Sequence, residues 1–286
     1  MVKEFKYFLL VLFVIGSSQI YSQITAMSFN IRYDNPGDKE NWWENRKIEV
    51  VDLMEYYHPD FIGIQEGLLN QVEYINTNTS NYNYVGVGRD DGDEKGEFSA
   101  IYYDSCKFEL VLAETFWLSE TPDTISVGWD ASMERICTYG CFKNIITNDT
   151  IYIFNSHFDH IGIIAQKMSA ELIINKIYDY GLINSKIIVI GDFNCEPDNE
   201  PIKILNNLLD DGMDIAAEKL IGPKGTFNKF DISFVPISRI DYIFTKNLEI
   251  KSYRHIDNKR KNNLCISDHL PVMIETLNTK TNRGLQ

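Results

Sequence analysis

Apolar residues recur along this chain in short runs bounded by Gly, Asp, Asn or Pro, and the runs follow two periods. Runs rich in Ile, Val, Phe and Tyr, several alternating apolar with polar, predict strands at residues 24–32, 61–65, 83–88, 99–103, 108–118, 136–146, 151–157, 186–190, 239–244, 250–255 and 271–276. Helices are predicted at 42–57, 68–76, 163–180 and 200–209, the third with Ile164, Met168, Leu172 and Ile173 at helical spacing. So many strands interleaved with fewer helices imply an α/β fold of two packed sheets with helices outside. No Pro/Ser-rich linker and no internal repeat interrupts the pattern, so residues 23–286 read as one domain.

The first residues read as a targeting signal. Lys3 and Lys6 precede the apolar run from Phe8 to Ile15, which is too short to span a bilayer. Gly16-Ser17-Ser18-Gln19 then leads to Ile20-Tyr21-Ser22, a cleavage site ending on a small residue, with a strand starting directly afterwards. Residues 1–22 are therefore expected to be a cleaved signal peptide, and the protein to be secreted or periplasmic. No cysteine lies near the cleavage point, so no stable membrane anchor is expected.

Removing Lys3, Lys6 and Glu4 shifts the formal charge from -14 to -15. A body this acidic repels long polyanions, which counts against a tight, processive nucleic-acid binder unless a bound metal supplies the attraction. The five cysteines are odd in number for an exported chain, and no C-x-x-C zinc spacing occurs. Cys137 and Cys141 fall about 13 Å apart in a predicted strand, too far to pair, so buried free thiols are expected.

The chemistry-bearing residues stand at the ends of apolar strands. Asn30 closes Met27-Ser28-Phe29-Asn30, Glu66 follows Ile64-Gln65, and His157 closes Phe154-Asn155-Ser156-His157 with Asp159 beyond it. Asp192 and Asn194 follow Ile188-Val189-Ile190-Gly191, Asp241 lies in Arg239-Ile240-Asp241-Tyr242, and Ser267-Asp268-His269 precedes the last strand. Each alone reads equally well as a turn residue, a cap or a satisfied surface pair. Together, carboxylates and carboxamides with few thiols form a hard, oxygen-rich set suited to Mg²⁺ or Mn²⁺. Histidines near acids can stay protonated and face a phosphate, and an Asp beside an Asn can deprotonate water. That inventory fits metal-assisted phosphoryl transfer.

The pieces Ser28-Phe29-Asn30-Ile31-Arg32, Ile64-Gln65-Glu66, Asn155-Ser156-His157-Phe158-Asp159, Gly191-Asp192-Phe193-Asn194, Arg239-Ile240-Asp241-Tyr242 and Ser267-Asp268-His269 resemble, in order, the endonuclease/exonuclease/phosphatase superfamily. The resemblance implies a four-layer α/β sandwich, two facing mixed sheets flanked by helices, with the site where the sheets open at one edge. It implies Glu66 as main metal ligand, with Asn30 close by and Asp268 and Asp241 as neighbouring carboxylates. It implies Asp192, helped by Asn194, as the group that activates water. His269, paired with Asp241, stabilises charge on the phosphoryl group, and His157 is a second imidazole on phosphate or leaving group. Some branches give the base role to the histidine, and that choice stays open.

Residues 115–122, 128–130 and 135–138, with Gly88-Arg89-Asp90-Asp91-Gly92 and Gly225-Thr226-Phe227-Asn228, resemble an exported bacterial subgroup. Arg135 is a candidate phosphate clamp, or else the partner of Glu134 or another carboxylate. Trp117 and Trp129 offer a stacking wall or ordinary packing. The acidic loop from Asp90 to Glu97 reads as a solvated rim without a chemical role.

The expected partner is a phosphate-ester substrate, with small-molecule or lipid-headgroup esters favoured over DNA or RNA. A nuclease needs a basic rim, for which Lys224, Lys229, Lys259, Arg260 and Lys261 are few. A binding module on the same scaffold would have lost the base or the metal carboxylate. A glycoside hydrolase would leave two histidines and Asn194 without a purpose. No protein partner is inferable.

Overall fold

The structure, a computed structural model, describes residues 23–277, so the expected signal peptide lies outside the described residues. The chain begins with strand β1 (Thr25–Asn30), helix α1 (Lys47–Tyr57), β2 (Phe61–Gln65), α2 (Leu69–Asn78), β3 (Tyr82–Val85), β4 (Ile101–Asp104), β5 (Phe108–Trp117) and β6 (Ile136–Asn144). There follow β7 (Thr150–His157), α3 (Ile163–Asp179), β8 (Lys186–Asp192), α4 (Glu200–Asn206), β9 (Asp210–Asp211), α5 (Gly212–Ile215), β10 (Asp241–Lys246), β11 (Ile250–His255) and β12 (Val272–Thr276). The strands form two six-stranded sheets, ordered β11-β12-β1-β2-β4-β3 and β5-β6-β7-β8-β10-β9. Both are mixed, because β1 runs parallel to β2 and β7 parallel to β8 while the other neighbours are antiparallel.

Period-two alternation sorts each central strand between an outer and an inner face. Met27, Phe29, Ile62 and Ile64 point outward and pack against Val50 and Met54 of α1 and Val72 and Ile75 of α2. Phe154, Ile187 and Val189 do the same on the other sheet against Ala170, Ile173 and Ile177 of α3. The inner faces meet in a third cluster that includes Ala26, Phe61, Ile153, Ile188, Ile190 and Ile243. The result is the four-layer sandwich, helices–sheet–sheet–helices.

Along the inner faces, apolar residues give way to polar ones toward one edge. Ala26 is followed by Ser28 and Asn30, Phe61 by Gly63 and Gln65, Ile153 by Asn155 and His157, and Ile190 by Asp192. The polar part is tied across the sheets. Asn155 Nδ2 donates to the carbonyls of Ile64 and Ala100, both at 2.8 Å, and Gln65 Nε2 donates to Asn155 Oδ1 at 2.7 Å. Gly63 permits this approach, since a Cβ there would lie 2.8 Å from both Asn155 Cγ and Ile190 Cγ2.

Some expectations shift. The helix expected from residue 42 begins at Lys47, because Arg46 (φ -134) turns inward, fully buried, and donates to the carbonyls of Ile31, Arg32 and Asn41. Residues Trp43–Asn45 form a 3₁₀ turn instead. The helix expected to 209 stops at Asn206, and the short β9 and α5 that follow have no periodic signal. Four cysteines are buried and free, but Cys106 is free and exposed, in the turn between β4 and β5.

Asn155→Ala removes the donor to the buried Ile64 carbonyl and one of two donors to the Ala100 carbonyl, which keeps the Ile64 N–H at 2.9 Å, and should cost about 2 kcal/mol, at about 1–3 kcal/mol per unsatisfied group. Gly63→Ala should be comparably destabilising through the clash. Urea unfolding reads both; a loss under about 0.5 kcal/mol for Asn155→Ala would mean the sheets are held by apolar packing alone.

Candidate active site

The strand registers put the site residues side by side. In one sheet His157 and Asp241 flank Asp192, each in direct register with it. In the other, Asn30 ends β1 opposite Gln65, one residue before Glu66. Glu66 (φ 63), Asn194 (φ 50) and Arg32 (φ 57) all adopt left-handed backbone immediately beyond their strands. Such backbone costs a non-glycine residue about 1 kcal/mol or more and clusters at functional sites. Here it folds the chain back over the sheet edge.

Asn30 joins the two sheets. Its Nδ2 donates to Glu66 Oε1 at 2.9 Å and to Asp192 Oδ2 at 2.8 Å, while its Oδ1 accepts from the Arg32 N–H at 2.9 Å. Glu66 Oε2 accepts from the Tyr33 N–H at 3.2 Å and lies 3.7 Å from the Arg32 guanidinium. Asp192 Oδ1 accepts from the Asn194 N–H at 3.0 Å. Asn194 Nδ2 donates to the Phe158 carbonyl at 3.1 Å and stands 3.1 Å from His157 Nε2. With that amide oriented by the carbonyl, His157 Nε2 is the acceptor and its Nδ1 carries the proton. His269 Nδ1 pairs with Asp241 Oδ2 at 2.9 Å, and its Nε2 lies 3.7 Å from Asp192 Oδ2. Ser267 Oγ donates to the Asn30 carbonyl at 2.7 Å, which ties the Asp268–His269 segment to β1.

Electrostatics separate the two imidazoles. Burial disfavours charge on His269, but Asp241 and Asp192 outweigh it and hold the ring protonated, well above the ordinary histidine value. Burial, reinforced by Arg135 and Arg89, keeps His157 neutral, well below that value. Burial and Asp241 push Asp192 up to about 7, against the opposing pull of His269 and of the hydrogen bond from Asn30. Asp268 is also raised, by burial and by Glu66, although His269 opposes the shift.

These residues surround one cavity of about 410 Å³, with Glu66, His157, Asp192, Asn194, Asp268 and His269 on its wall. Oxygens or ring nitrogens of Glu66, His157 and Asp192 lie within 4.8 Å of one another, as do those of Asp192, Asp241 and His269. The crowd of buried carboxylates, two of them shifted toward their neutral forms, and an Asp241 Oδ1 that has no partner form an oxygen-rich donor set that fits a hard divalent cation.

Arg135 lies on the same wall and pairs with Asp159 (3.4 Å) and His160 (3.0 Å), not with Glu134. Its Nη1 has no hydrogen-bond partner. The stacking wall is not found. Trp117 is buried, with Nε1 donating to the Arg89 carbonyl, and neither it nor Trp129 lines the cavity. Tyr33 and Phe227 line it instead. The acidic loop is also more than a rim, since Glu97 lines the cavity 3.8 Å from His157 and is held by both arms of Arg89 at 2.7 and 3.0 Å. A loop-borne ion pair has no periodicity to reveal it. The Gly88-Arg89-Asp90-Asp91-Gly92 motif was the available signal.

With its hard oxygen cluster facing a protonated imidazole, the molecule falls in the class of phosphoester hydrolases. The chain belongs to the endonuclease/exonuclease/phosphatase family, whose sequence profile matches residues 27–269. An endonuclease/exonuclease/phosphatase family protein from Bacteroides thetaiotaomicron is 35% identical in its crystal structure, with a TM-score of 0.85 over 90% of this chain and 98% of that one. The mannosyl-6-phosphatase of Bacteroides thetaiotaomicron is similar too, at 36% identity and a TM-score of 0.84, covering 89% of this chain and 99% of that one. An uncharacterized protein of Acanthamoeba polyphaga mimivirus is 30% identical over 255 residues, which span 81% of this chain and 91% of the relative.

An aspartic acid raised from about 4 to about 7 favours the neutral form in the fold, so its contribution to stability is present below about pH 4 and is lost as pH climbs through about 7. Without added metal, Asp192→Asn should therefore gain on the parent by a few kcal/mol between pH 4.5 and pH 8. Urea unfolding in EDTA at the two pH values measures the difference; one that does not change would show that Asp192 ionises without strain.

Proposed function

We propose that the chain is an exported, Mg²⁺- or Mn²⁺-dependent phosphatase of small phosphate esters, with sugar phosphates as the leading substrate class. The carrying observation is that Glu66, Asp192, Asp268 and His269 line one cavity of small-ligand size, with Asn30 bonded to Glu66 and Asp192 and Asp241 bonded to His269 behind them. The similarity to a mannosyl-6-phosphatase supports the sugar. A nuclease is less well served. Of the rim cations, Arg260 is buried and donates to the carbonyls of Glu40 and Asn45, and Lys259 is held by Asp257.

Glu66 and Asp268, with Asn30 beside them, would hold the metal, which supplies Lewis acidity and neutralises phosphate charge when bound. Asp192 accepts the proton of the attacking water. Hydrogen bonds from Asn30 and the Asn194 N–H fix its two oxygens, and its value of about 7 suits a base at neutral pH. Protonated His269, oriented by Asp241, donates to the phosphoryl oxygens as charge builds there. His157, neutral, holds the Asn194 amide through Nε2, and Arg135 on the cavity wall adds positive charge beside the phosphate.

Phosphate release from sugar phosphates should require Mg²⁺ or Mn²⁺ and stop with EDTA. Asp192→Ala should lose at least about a hundredfold in kcat, since base effects are about 10²–10⁴. Full activity in Asp192→Ala would remove the mechanism. For export, mass spectrometry of the secreted protein should find Gln23 as the first residue; a retained leader would contradict cleavage.

A further inference from the structure

Beside the catalytic cavity, and sharing His160 with it, lies a second cavity of about 440 Å³ between the start of α3 and the start of α4. Its apolar lining is Ile161, Ile163, Ile164 and Pro201. The three isoleucines are 65%, 76% and 56% exposed. One exposed isoleucine is ordinary, but three within four residues, on a concave wall that adjoins an active site, mark a binding surface. The wall between the two cavities is fixed. His160 Nδ1 lies 3.0 Å from Arg135 Nη2, and Gln166 Nε2 donates to the Asp159 carbonyl at 2.7 Å.

We infer that this groove is a second subsite, which takes the neutral sugar that carries the phosphorylated one, so that the substrate is a phosphorylated oligosaccharide and not a free sugar phosphate. The inference rests on the sugar-phosphatase reading and extends it. Three ligand chemistries compete, and the lining separates them. Lys167 and Glu200 are the charged residues on the wall, and they cancel. The next phosphate of a polynucleotide would find no net positive charge there. An acyl chain would fit the isoleucines and Pro201 but would strip water from the polar groups of His160, Gln166, Lys167, Asn199 and Glu200 without offering them a partner. A pyranose suits both halves, with its C–H face on the isoleucines and its hydroxyls toward the amides, the carboxylate and the ammonium. The volume is on the scale of ligand sites, about 300–1,000 Å³.

The test compares kcat/KM for mannose 6-phosphate with that for the same phosphorylated mannose at the non-reducing end of an α-linked disaccharide. The disaccharide should be favoured at least tenfold, mainly through KM, and the ratio should fall to about one in Ile161→Asp/Ile164→Asp. Octyl and methyl phosphate form the second arm. A ratio near one for the parent protein, or a gain with octyl phosphate but not with the disaccharide, overturns the subsite. Independently of turnover and of phosphate position, unphosphorylated α-mannobiose is titrated into protein labelled at isoleucine methyls. Shifts confined to Ile161, Ile163 and Ile164 support the groove even where no sugar phosphate is hydrolysed, the outcome that would instead sink the sugar-phosphatase reading. No shift at those methyls overturns the groove as a sugar subsite.

Discussion

Everything at the site depends on the two sheets being locked face to face without slip, and a buried amide does the locking. Asn155 of β7 donates to two carbonyls of the facing sheet and accepts from Gln65. Apolar packing between the sheets is non-directional and tolerates sliding, whereas three hydrogen bonds with no water to replace them do not. One residue pair further toward the edge, Asn30 continues the same seam to Asp192. The seam that holds the fold together therefore ends as part of the site.

That position carries an electrostatic strain. Glu66, Asp192, Asp241 and Asp268 are brought together in a poorly hydrated place, and one protonated histidine with three nearby arginines does not relieve them all. Asp192 stays partly neutral near pH 7 as a result. A divalent cation would lower the cost of ionising Asp192 and Asp268 and leave Asp192 a carboxylate at neutral pH. The same clustering that strains the free protein would give a cation its affinity.

Much of this was legible in the chain, for identifiable reasons. Ile188-Val189-Ile190-Gly191-Asp192 reads as a buried strand with a carboxylate at its end because both signals are local. The same holds for β1, β2 and β7, and the site residues on them converge as the strand-end pattern suggested. Elements that depend on distant contacts were not legible. Arg46 delays α1 because its guanidinium is captured by carbonyls of β1's exit and of residue 41, a contact no local window contains. Glu97 looked like one more acid in a solvated loop, and only the return of that loop over β7 puts it beside His157. Trp117 read equally as a stacking platform or as packing, and the strand's alternation turns it into the protein, under Gly92.

The charge distribution resolves an apparent conflict between a formal net charge of -14 and an anionic substrate. Arg32, Arg89, Arg135 and His269 all lie on the cavity wall, so the field inside is set by them and not by the average surface. Most of that charge is already matched, Arg32 by Asp38, Arg89 by Glu97 and Arg135 by Asp159. What remains for a ligand is oriented N–H donors with little excess charge. A single phosphate that reaches into the cavity meets those donors at close range. A polymer of phosphates would have to lie along an outer surface that repels it. Under the proposed function, local attraction and global repulsion would together favour a small or terminal phosphate, and the groove beside the cavity would extend the same logic to the group that carries it.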